Sequence, residues 1–441
     1  MRKSWLILLA VFLLVGAFAA HVAAQDGGEP SGVVRVGTWD SGDGLVPWND
    51  AIAAFEAEHP NIDIQLEAVP QEYGTRLLAQ FASGDAPDIF MTGDGDTAKF
   101  QALGAIEPLT PYITGESGID TEIFFPAVLE FGQVGDELYY MTKDYSPLVL
   151  FYNVDHFEEA GVELPAEGWT WDDFVSAAQQ LTIDANGNNA TSPDFDPNNI
   201  QRWGIQLTNS WGDFYWLRGM LPIIYSHGGS VVSEDGTTAT GYMNSPETVA
   251  AIENYMALFN DLNVAIDRDE FAAFAGTDLF QSGLVSMLWT GRWPISDFQS
   301  NPDLNFGTVG LPAGPEGNAN VLCWSGFAMY SGSENKDAAW EFLKYISAEE
   351  GAAEFGEYAL SAVESVVDEL GLSEDPLNAP IIADLENVQP LPEAANPFWA
   401  ECGNTFFVQQ LERVFLEGVS VQEAMDTAAE QTDTCLAEAA E

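Results

Sequence analysis

The sequence predicts an α/β fold in two domains. Its 441 residues exceed the roughly 250–300 that one hydrophobic core usually serves. Hydrophobic residues make up 46% of the chain, which is enough material for packed cores. Strand-like and helix-like patterns alternate along residues 33–91, as in a sheet of parallel strands covered by helices.

Residues 1–24 have the three parts of a secretory signal peptide. Arg2 and Lys3 are followed by an apolar run from Trp5 to Ala20 and by the small residues before Gln25. We expect cleavage near Ala24, a flexible segment over 25–32, and a secreted or extracytoplasmic protein in the periplasm or on the outer face of the membrane. The alternative is a retained anchor, because the apolar run is near the short end of a spanning helix.

The chain is strongly acidic. Its formal charge is −56, and it becomes −58 when Arg2 and Lys3 leave with the signal peptide. Such an excess repels nucleic acid phosphates and anionic lipids, so we expect no nucleic acid partner. A solvated acidic surface also keeps an exported protein dispersed.

The first elements alternate between strands and helices. Strands are predicted by alternation or short apolar runs and helices by apolar positions at helical spacing. The strands are Val34–Val36, Ile62–Leu66 and Pro87–Met91, and the helical faces are Trp48/Ile52/Phe55 and Tyr73/Leu77/Phe81. Because ligands bind beyond the carboxyl ends of such strands, Trp39, Asp40 and Asp94 are expected at one rim.

The same periodicities predict the strands and helices after Leu138. An extended stretch from Leu138 to Asn153 has a break at Asp144 to Pro147, where the chain is expected to cross between domains. Helices are predicted over Trp171–Leu181, Pro246–Asn260 and Asp337–Ile346, and strands over Met287–Trp289 and Gly326–Tyr330. The loop after Ile183 has partial calcium-loop spacing but lacks the glycine and the last acid, so a polar loop is preferred.

Three cysteines are too far apart for a zinc site, and an exported protein can form disulfides. Two antiparallel helices are predicted from Asn404 to Glu417 and from Val421 to Leu436, joined at Gly418. This arrangement brings Cys435 near Cys402 and predicts a disulfide between them. Cys323 is then expected to pack as a small apolar residue.

The known catalytic motifs are absent from the sequence. The histidines have no zinc spacing, and neither the GxSxG nor the phosphate-binding GxxxxGK[ST] pattern occurs. We therefore expect no metal and no cofactor. With 69 acidic residues, a pair of carboxylates at glycosidase separation stays possible, so a secreted carbohydrate hydrolase or lyase is the alternative function.

Aromatic residues recur beside polar residues at the ends of elements. Sugar rings rest on aromatic faces, while their hydroxyls bond to carboxylates, amides and guanidinium groups. For each single tryptophan, core packing is the competing interpretation. The candidate ligand-binding residues are Trp39, Asp40, Asp94, Asp144, Tyr145, Trp211, Trp216, Trp289, Arg292, Trp293, Trp324 and Trp399.

Arg292 stands between Trp289 and Trp293, in the stretch SMLWTGRWPIS. A guanidinium stacks on indoles and offers a rigid set of donors to hydroxyls or to a carboxylate. The alternative is a structural salt bridge with one of the many acids. Gly291 allows the backbone to turn and to approach a ligand.

Several stretches together resemble the extracellular solute-binding proteins of ABC sugar importers, the maltose-binding-like family 1. They span nearly the whole mature chain, and the segment ASGDAPD before a strand is the most specific. The stretches are residues 53–64, 81–90, 150–153, 157–161, 169–174, 283–287, 291–293 and 338–343.

The resemblance implies a type II periplasmic-binding-protein-like fold, with two α/β lobes joined by hinge strands and a ligand cleft between them. It implies lobe 1 over 33–144 and 313–375, and lobe 2 over 145–312, with C-terminal helices of lobe 2 over 376–441. Hinge crossings are expected near 144–147 and 311–320.

By the same resemblance, Trp293 and Trp399 match stacking tryptophans and Asp94 a polar cleft position. The implied partners are a mono- or oligosaccharide and the permease subunits of an ABC transporter, and we expect a monomer without enzymatic activity. The chain departs from the family at Ser282–Leu284 and at Ser325–Gly326. A polyol phosphate or sugar acid bound by Arg292 is therefore a second alternative ligand.

Overall fold

The computed structural model describes residues 29–93, 96–115, 117–129, 132–207, 217–274, 277–348, 350–356 and 359–440. Its strands are β1 (Gly32–Thr38), β2 (Ile62–Ala68), β3 (Ile89–Gly93), β4 (Gln133–Val134), β5 (Glu137–Leu138), β6 (Tyr140–Pro147), β7 (Val149–Asn153), β8 (Ile183–Asp184), β9 (Ile200–Gln206), β10 (Val285–Thr290), β11 (Phe306–Val309) and β12 (Leu322–Met329).

Most of these strands form two five-stranded sheets. Sheet A has the order β2-β1-β3-β12-β6, and sheet B has the order β11-β7-β10-β9-β8. We call the elements around sheet A lobe 1 and those around sheet B lobe 2. The predicted α/β fold with two lobes is thereby confirmed.

Helices surround both sheets. They are α1 (Val46–Glu58), α2 (Tyr73–Ser83), α3 (Asp96–Ala102), α4 (Thr110–Ile113), α5 (Pro126–Leu129), α6 (Val154–Ala160), α7 (Trp171–Leu181), α8 (Leu217–Ser226), α9 (Pro246–Asn260), α10 (Arg268–Ala273), α11 (Ile295–Gln299), α12 (Lys336–Ala348), α13 (Glu350–Gly356), α14 (Glu364–Glu369), α15 (Ala379–Ala383), α16 (Pro392–Ala395), α17 (Thr405–Glu417) and α18 (Val421–Ala439). Within the described ranges, no helix combines the length and the apolar character needed to cross a membrane.

The first strands pair as the alternating pattern predicts. β1 runs parallel to β2, with Gly32 opposite Ile62, and parallel to β3, with Val36 opposite Ile89. β12 returns later in the chain and lies antiparallel between β3 and β6. Because β1 and β3 are parallel, the residues that follow their carboxyl ends lie at the same edge of sheet A.

Local capping explains the sharp start of two predicted helices. Thr170 and Asp173 form a reciprocal capping box, in which each side chain accepts the other residue's backbone N–H. The Ser245 hydroxyl accepts the N–H of Thr248, with Pro246 next in the chain. The predicted bounds of α7 and α9 are both confirmed.

Each lobe has an aromatic core. In lobe 1, the Trp48 ring lies 5.4 Å from Phe327 and 5.1 Å from Phe355. In lobe 2, Phe151 lies edge-on to Phe298 at 5.3 Å. Edge-to-face packing at these distances is the arrangement that aromatic quadrupoles favour. Each sheet therefore packs on an aromatic group of its own, within one hydrophobic core that continues through both lobes.

The chain crosses from sheet A to sheet B within one residue. β6 ends at Pro147 and β7 begins at Val149, so Leu148 alone separates the two sheets. The return crossing runs from the end of β11 at Val309 to the start of β12 at Leu322. A third segment, around Val388, lies beside these crossings, because Val388 forms a β-bridge with Asn320 of the return crossing.

The C-terminal helices pack against lobe 2. Gly418, with φ at 69°, ends α17 and lets the chain turn back into α18. A disulfide joins Cys402 to Cys435, whose Cα atoms are 5.5 Å apart. Asp433 of α18 accepts the backbone N–H of Ala239 in lobe 2 at 2.5 Å. Cys323 is buried in β12.

Candidate functional site between the lobes

The carboxyl end of β1 presents Trp39 and Asp40 at the edge of sheet A. The Asp40 carboxylate accepts the indole N–H of Trp48 at 2.7 Å and lies 3.0 Å from the Thr38 hydroxyl. Trp39 is partly exposed and packs at 88° against Tyr73, with 5.5 Å between ring centroids. Helix α1 and strand β1 thus fix a carboxylate next to an available indole.

Lys143 and Asp144 of β6 lie beside Asp40. The Lys143 ammonium is 2.9 Å from Asp144 Oδ2 and lies over the Phe355 ring at 5.2 Å. Burial lowers the pKa of Lys143, but the charges of Asp144 and Asp40 outweigh it and hold the pKa above its ordinary value. Asp144 also accepts the hydroxyl of Ser325 at 2.7 Å.

Arg292 joins this group from lobe 2. Its backbone N–H donates to the Ser146 hydroxyl at 2.8 Å, and its Nε donates to Asn378 Oδ1 at 2.6 Å. The side chain is 4% exposed. Burial lowers the pKa of Arg292 to about 10, and Asp144 is the largest opposing influence, so the guanidinium stays charged at neutral pH.

Gly291 and Trp293 form a tight turn after β10. A Cβ atom on Gly291 would lie 1.9 Å from the Trp293 ring, so only glycine allows this ring to fold back. Trp293 remains partly exposed. Trp293 directly follows Arg292, whose pKa is influenced by the charge of Asp144 in lobe 1.

A second interlobe contact involves Trp324 of β12 and Arg218 of α8. The guanidinium carbon of Arg218 lies 5.7 Å from the Trp324 ring centre, within the range of a cation–π contact. Arg218 Nη2 is 3.6 Å from Glu393 Oε1. The side chains of Arg218 and Glu393 are largely buried, at 8% and 17% exposed.

Lys99 and Glu401 form a third contact between the lobes. Lys99 lies on α3 of lobe 1, and Glu401 precedes α17, which packs on lobe 2. The side chains are 27% and 46% exposed, so solvent screens the pair. Because its two residues belong to different lobes, the pair depends on the separation of the lobes.

Five of the predicted ligand-binding residues are buried. Arg292 and Trp324, described above, are 4% and 6% exposed, and the other three are Tyr145, Trp289 and Trp399. Tyr145 is 2% exposed, and burial raises its pKa above the ordinary range. Trp289 packs against Phe174 in the core of lobe 2, at 6.2 Å between ring centroids. Trp399 is fully buried against the backbone of Gly403, where an added Cβ would lie 2.5 Å from the ring. These three side chains have packing partners inside the protein.

The remaining predicted positions lie outside the described residues. They are Asp94, Trp211, Trp216 and the predicted signal peptide, residues 1–24.

Sequence reasoning missed Lys143, Arg218, Glu393 and Lys99. Each owes its place to a partner on another strand or in the other lobe, and only contact geometry reveals such pairs. Lys143 could have been noticed, because it is a rare cation directly before a predicted site residue.

The loop after β8 uses Asp184 as an internal anchor. Its carboxylate accepts the N–H groups of Asn186 and Asn188 at 2.8 Å and of Asp196 at 3.0 Å. Burial acts to raise the pKa of Asp184, but these donors dominate and lower it to about 2. Across the described ranges, the structure contains no group of three or more histidine, cysteine or acidic residues arranged to hold a metal ion.

The chain matches known proteins over most of its length. Residues 39–353 match the model of the bacterial extracellular solute-binding protein family. A binding protein of Brucella abortus (strain 2308) is 26% identical over 307 residues, covering 68% of this chain and 68% of that protein.

Two further relatives are similar over nearly the full chain. The sn-glycerol-3-phosphate-binding periplasmic protein UgpB of Escherichia coli (strain K12) is 25% identical over 445 residues, covering 93% of this chain and 94% of that protein. An ABC substrate-binding protein from Listeria monocytogenes in complex with cycloalternan superposes with a TM-score of 0.79 at 23% identity, covering 92% of this chain and 99% of that chain.

The family and the fold agree with the interlobe site. These relatives are named for binding rather than for catalysis, and the family is extracytoplasmic. The chain belongs to the bacterial extracellular solute-binding proteins.

Proposed function

We propose that this protein is the extracytoplasmic substrate-binding component of an ABC importer for a mono- or oligosaccharide. The ligand lies between the lobes, where aromatic stacking and hydrogen bonds to carboxylates hold it. Closure of the lobes then presents the loaded protein to the membrane permease. The protein acts as a monomer after its signal peptide is removed.

The observation that carries this proposal is the placement of Trp39 and Trp293. Each is partly exposed, and each comes from a different lobe. The charges of Asp40 and Asp144 act on Lys143, and the charge of Asp144 also acts on Arg292, the residue before Trp293. Flat aromatic faces combined with planar hydrogen-bonding groups suit a pyranose ring, whose C–H face and hydroxyl rim need both.

The relatives support the same ligand class. The Listeria protein was solved with cycloalternan, which is a carbohydrate. The E. coli relative is named for sn-glycerol-3-phosphate, which shares the hydroxyl chemistry but adds a phosphate. A carbohydrate is therefore the ligand to test first, with a polyol phosphate or a sugar acid as the alternative.

Native mass spectrometry of freshly purified protein and thermal unfolding with a panel of sugars test the proposal. A cognate sugar should remain bound as an intact adduct and raise the unfolding midpoint in a concentration-dependent way. Failure of every carbohydrate to bind would overturn it. Release of hydrolysed product would instead support the secreted hydrolase or lyase.

A further inference from the structure

Three cations that the structure describes at the boundary of the lobes are paired with carboxylates. Lys143 pairs with Asp144 at 2.9 Å, Arg218 with Glu393 at 3.6 Å, and Lys99 with Glu401. Arg292 donates to Asn378 and lies near Asp144 and Asp375. A ligand phosphate or carboxylate entering here would meet a balanced set of charges and lose its hydration.

Glu393 differs from the other carboxylates at this boundary. Arg218 contacts its Oε1, whereas its Oε2 is buried and accepts no hydrogen bond from the residues that the structure describes. A buried carboxylate oxygen without a donor is unfavourable, and a hydroxyl group supplies the missing donor. An anionic ligand group offers no donor and is repelled.

The position of Glu393 is fixed by its neighbours. It lies on α16, between Arg218 of α8 and the preceding segment, where the Tyr225 hydroxyl donates to the Pro390 carbonyl at 3.1 Å. Arg218 in turn contacts the ring of Trp324 from sheet A. The carboxylate is therefore held where lobe 2 meets β12 of lobe 1.

We propose that the site between the lobes takes an uncharged, hydroxyl-rich ligand, and that Glu393 is a specificity-determining residue that accepts a hydrogen bond from a ligand hydroxyl and disfavours anionic ligands. This inference rests on the proposed function and goes further by naming the charge class of the sugar. Arg218 acts as the positioning residue for Glu393.

Calorimetric titration of wild-type protein tests the charge class directly. The panel pairs neutral sugars with anionic analogues of the same skeleton, such as glucose with glucuronate and glucose 1-phosphate, and includes sn-glycerol 3-phosphate. We expect a neutral sugar to bind at least about 100-fold more tightly than its anionic analogues. An anionic analogue that binds as tightly would overturn this inference but leave carbohydrate binding intact.

Glu393→Gln tests the residue itself. It keeps the shape but leaves the charge of Arg218 uncompensated, so the preference for the neutral sugar should shrink by about tenfold or more. Glu412→Gln is the matched control, because Glu412 pairs with Arg268 at 2.9 Å on an exposed surface. An unchanged preference in Glu393→Gln protein with a normal circular dichroism spectrum would contradict the assignment. The wild-type titration decides the charge class even if this variant does not fold.

Discussion

Asn320 forms two hydrogen bonds with the backbone of Leu148, the residue at which the chain passes from one lobe to the other. Its Nδ2 donates to the Leu148 carbonyl at 2.7 Å, and its Oδ1 accepts the Leu148 N–H at 3.0 Å. The same side chain contacts Asp384, and its backbone pairs with Asn387 and Gln389. One fully buried side chain therefore ties all three interlobe segments together.

Replacing Asn320 should destabilise the protein strongly. Asn320→Ala leaves both Leu148 backbone groups and the buried Asp384 carboxylate without this partner, which should cost about 2–4 kcal/mol of unfolding free energy. Urea denaturation measures this loss. Asn305→Ala is the control, because Asn305 is exposed and makes a side-chain hydrogen bond to Asp155. Equal losses in the two variants would show that the interlobe hydrogen bonds carry no special weight.

Asp384 should make stability depend on pH in a characteristic direction. Burial raises its pKa above the ordinary value, although Asn387 and Asn320 donate to it. The folded protein therefore holds this proton more tightly than the unfolded chain, so the stability from this group is present below pH 3.8 and is lost as pH rises through the folded pKa.

Asp384→Asn should remove that component. As pH rises above 3.8, the wild type should lose unfolding free energy that the variant keeps, so the variant should become more stable relative to the wild type. Urea denaturation at several pH values measures this difference. A difference that is constant with pH would contradict the shift.

Asp184 should act in the opposite direction. Its pKa is lowered to about 2, so its contribution is present above pH 3.8 and is lost as pH falls towards 2. The destabilisation caused by Asp184→Asn should therefore shrink over that window. Since the N–H donors already occupy this carboxylate, we also expect calcium to leave the unfolding midpoint unchanged. A clear stabilisation by calcium would show that the loop rearranges around an ion.

The Cys402–Cys435 disulfide should stabilise the C-terminal helices. The bridge spans 33 residues, and closing a loop of that length corresponds to about 3–4 kcal/mol in the chain-entropy model. Reduction of the wild type should lower its unfolding midpoint. In a variant with both cysteines changed to alanine, reductant should have no further effect, and a wild type equally insensitive to reductant would contradict the prediction.

Sequence patterns predicted the fold well because each β-strand and helix carries its own periodicity. The alternation in Ile62–Leu66 and the helical spacing after Trp171 are local signals, and the structure has both elements. The predicted break at Asp144 to Pro147 lies at the end of β6, just before the crossing at Leu148, where the chain passes from one sheet to the other. Such signals need no knowledge of distant contacts.

The site was less predictable because exposure and pairing depend on distant segments. Trp289 and Trp293 are four residues apart, yet one is in the core of lobe 2 and the other is partly exposed. Arg218 and Glu393 are separated in the sequence by part of lobe 2 and by the second part of lobe 1, from β12 to α14. No local sequence pattern marks Asn320, although it contacts the segments around Leu148 and Asp384 that the structure describes between the lobes.

The most direct test of the central claim is calorimetric titration of a cognate sugar with Trp39→Ala, Trp293→Ala and Trp171→Ala. Trp171 is the control, because it is partly exposed but packs against Phe174 and His227 in lobe 2. If the ligand stacks between the lobes, each of the first two variants should lose about tenfold or more in affinity, and the third should bind like the wild type. Wild-type affinity in Trp39→Ala and Trp293→Ala would contradict the account.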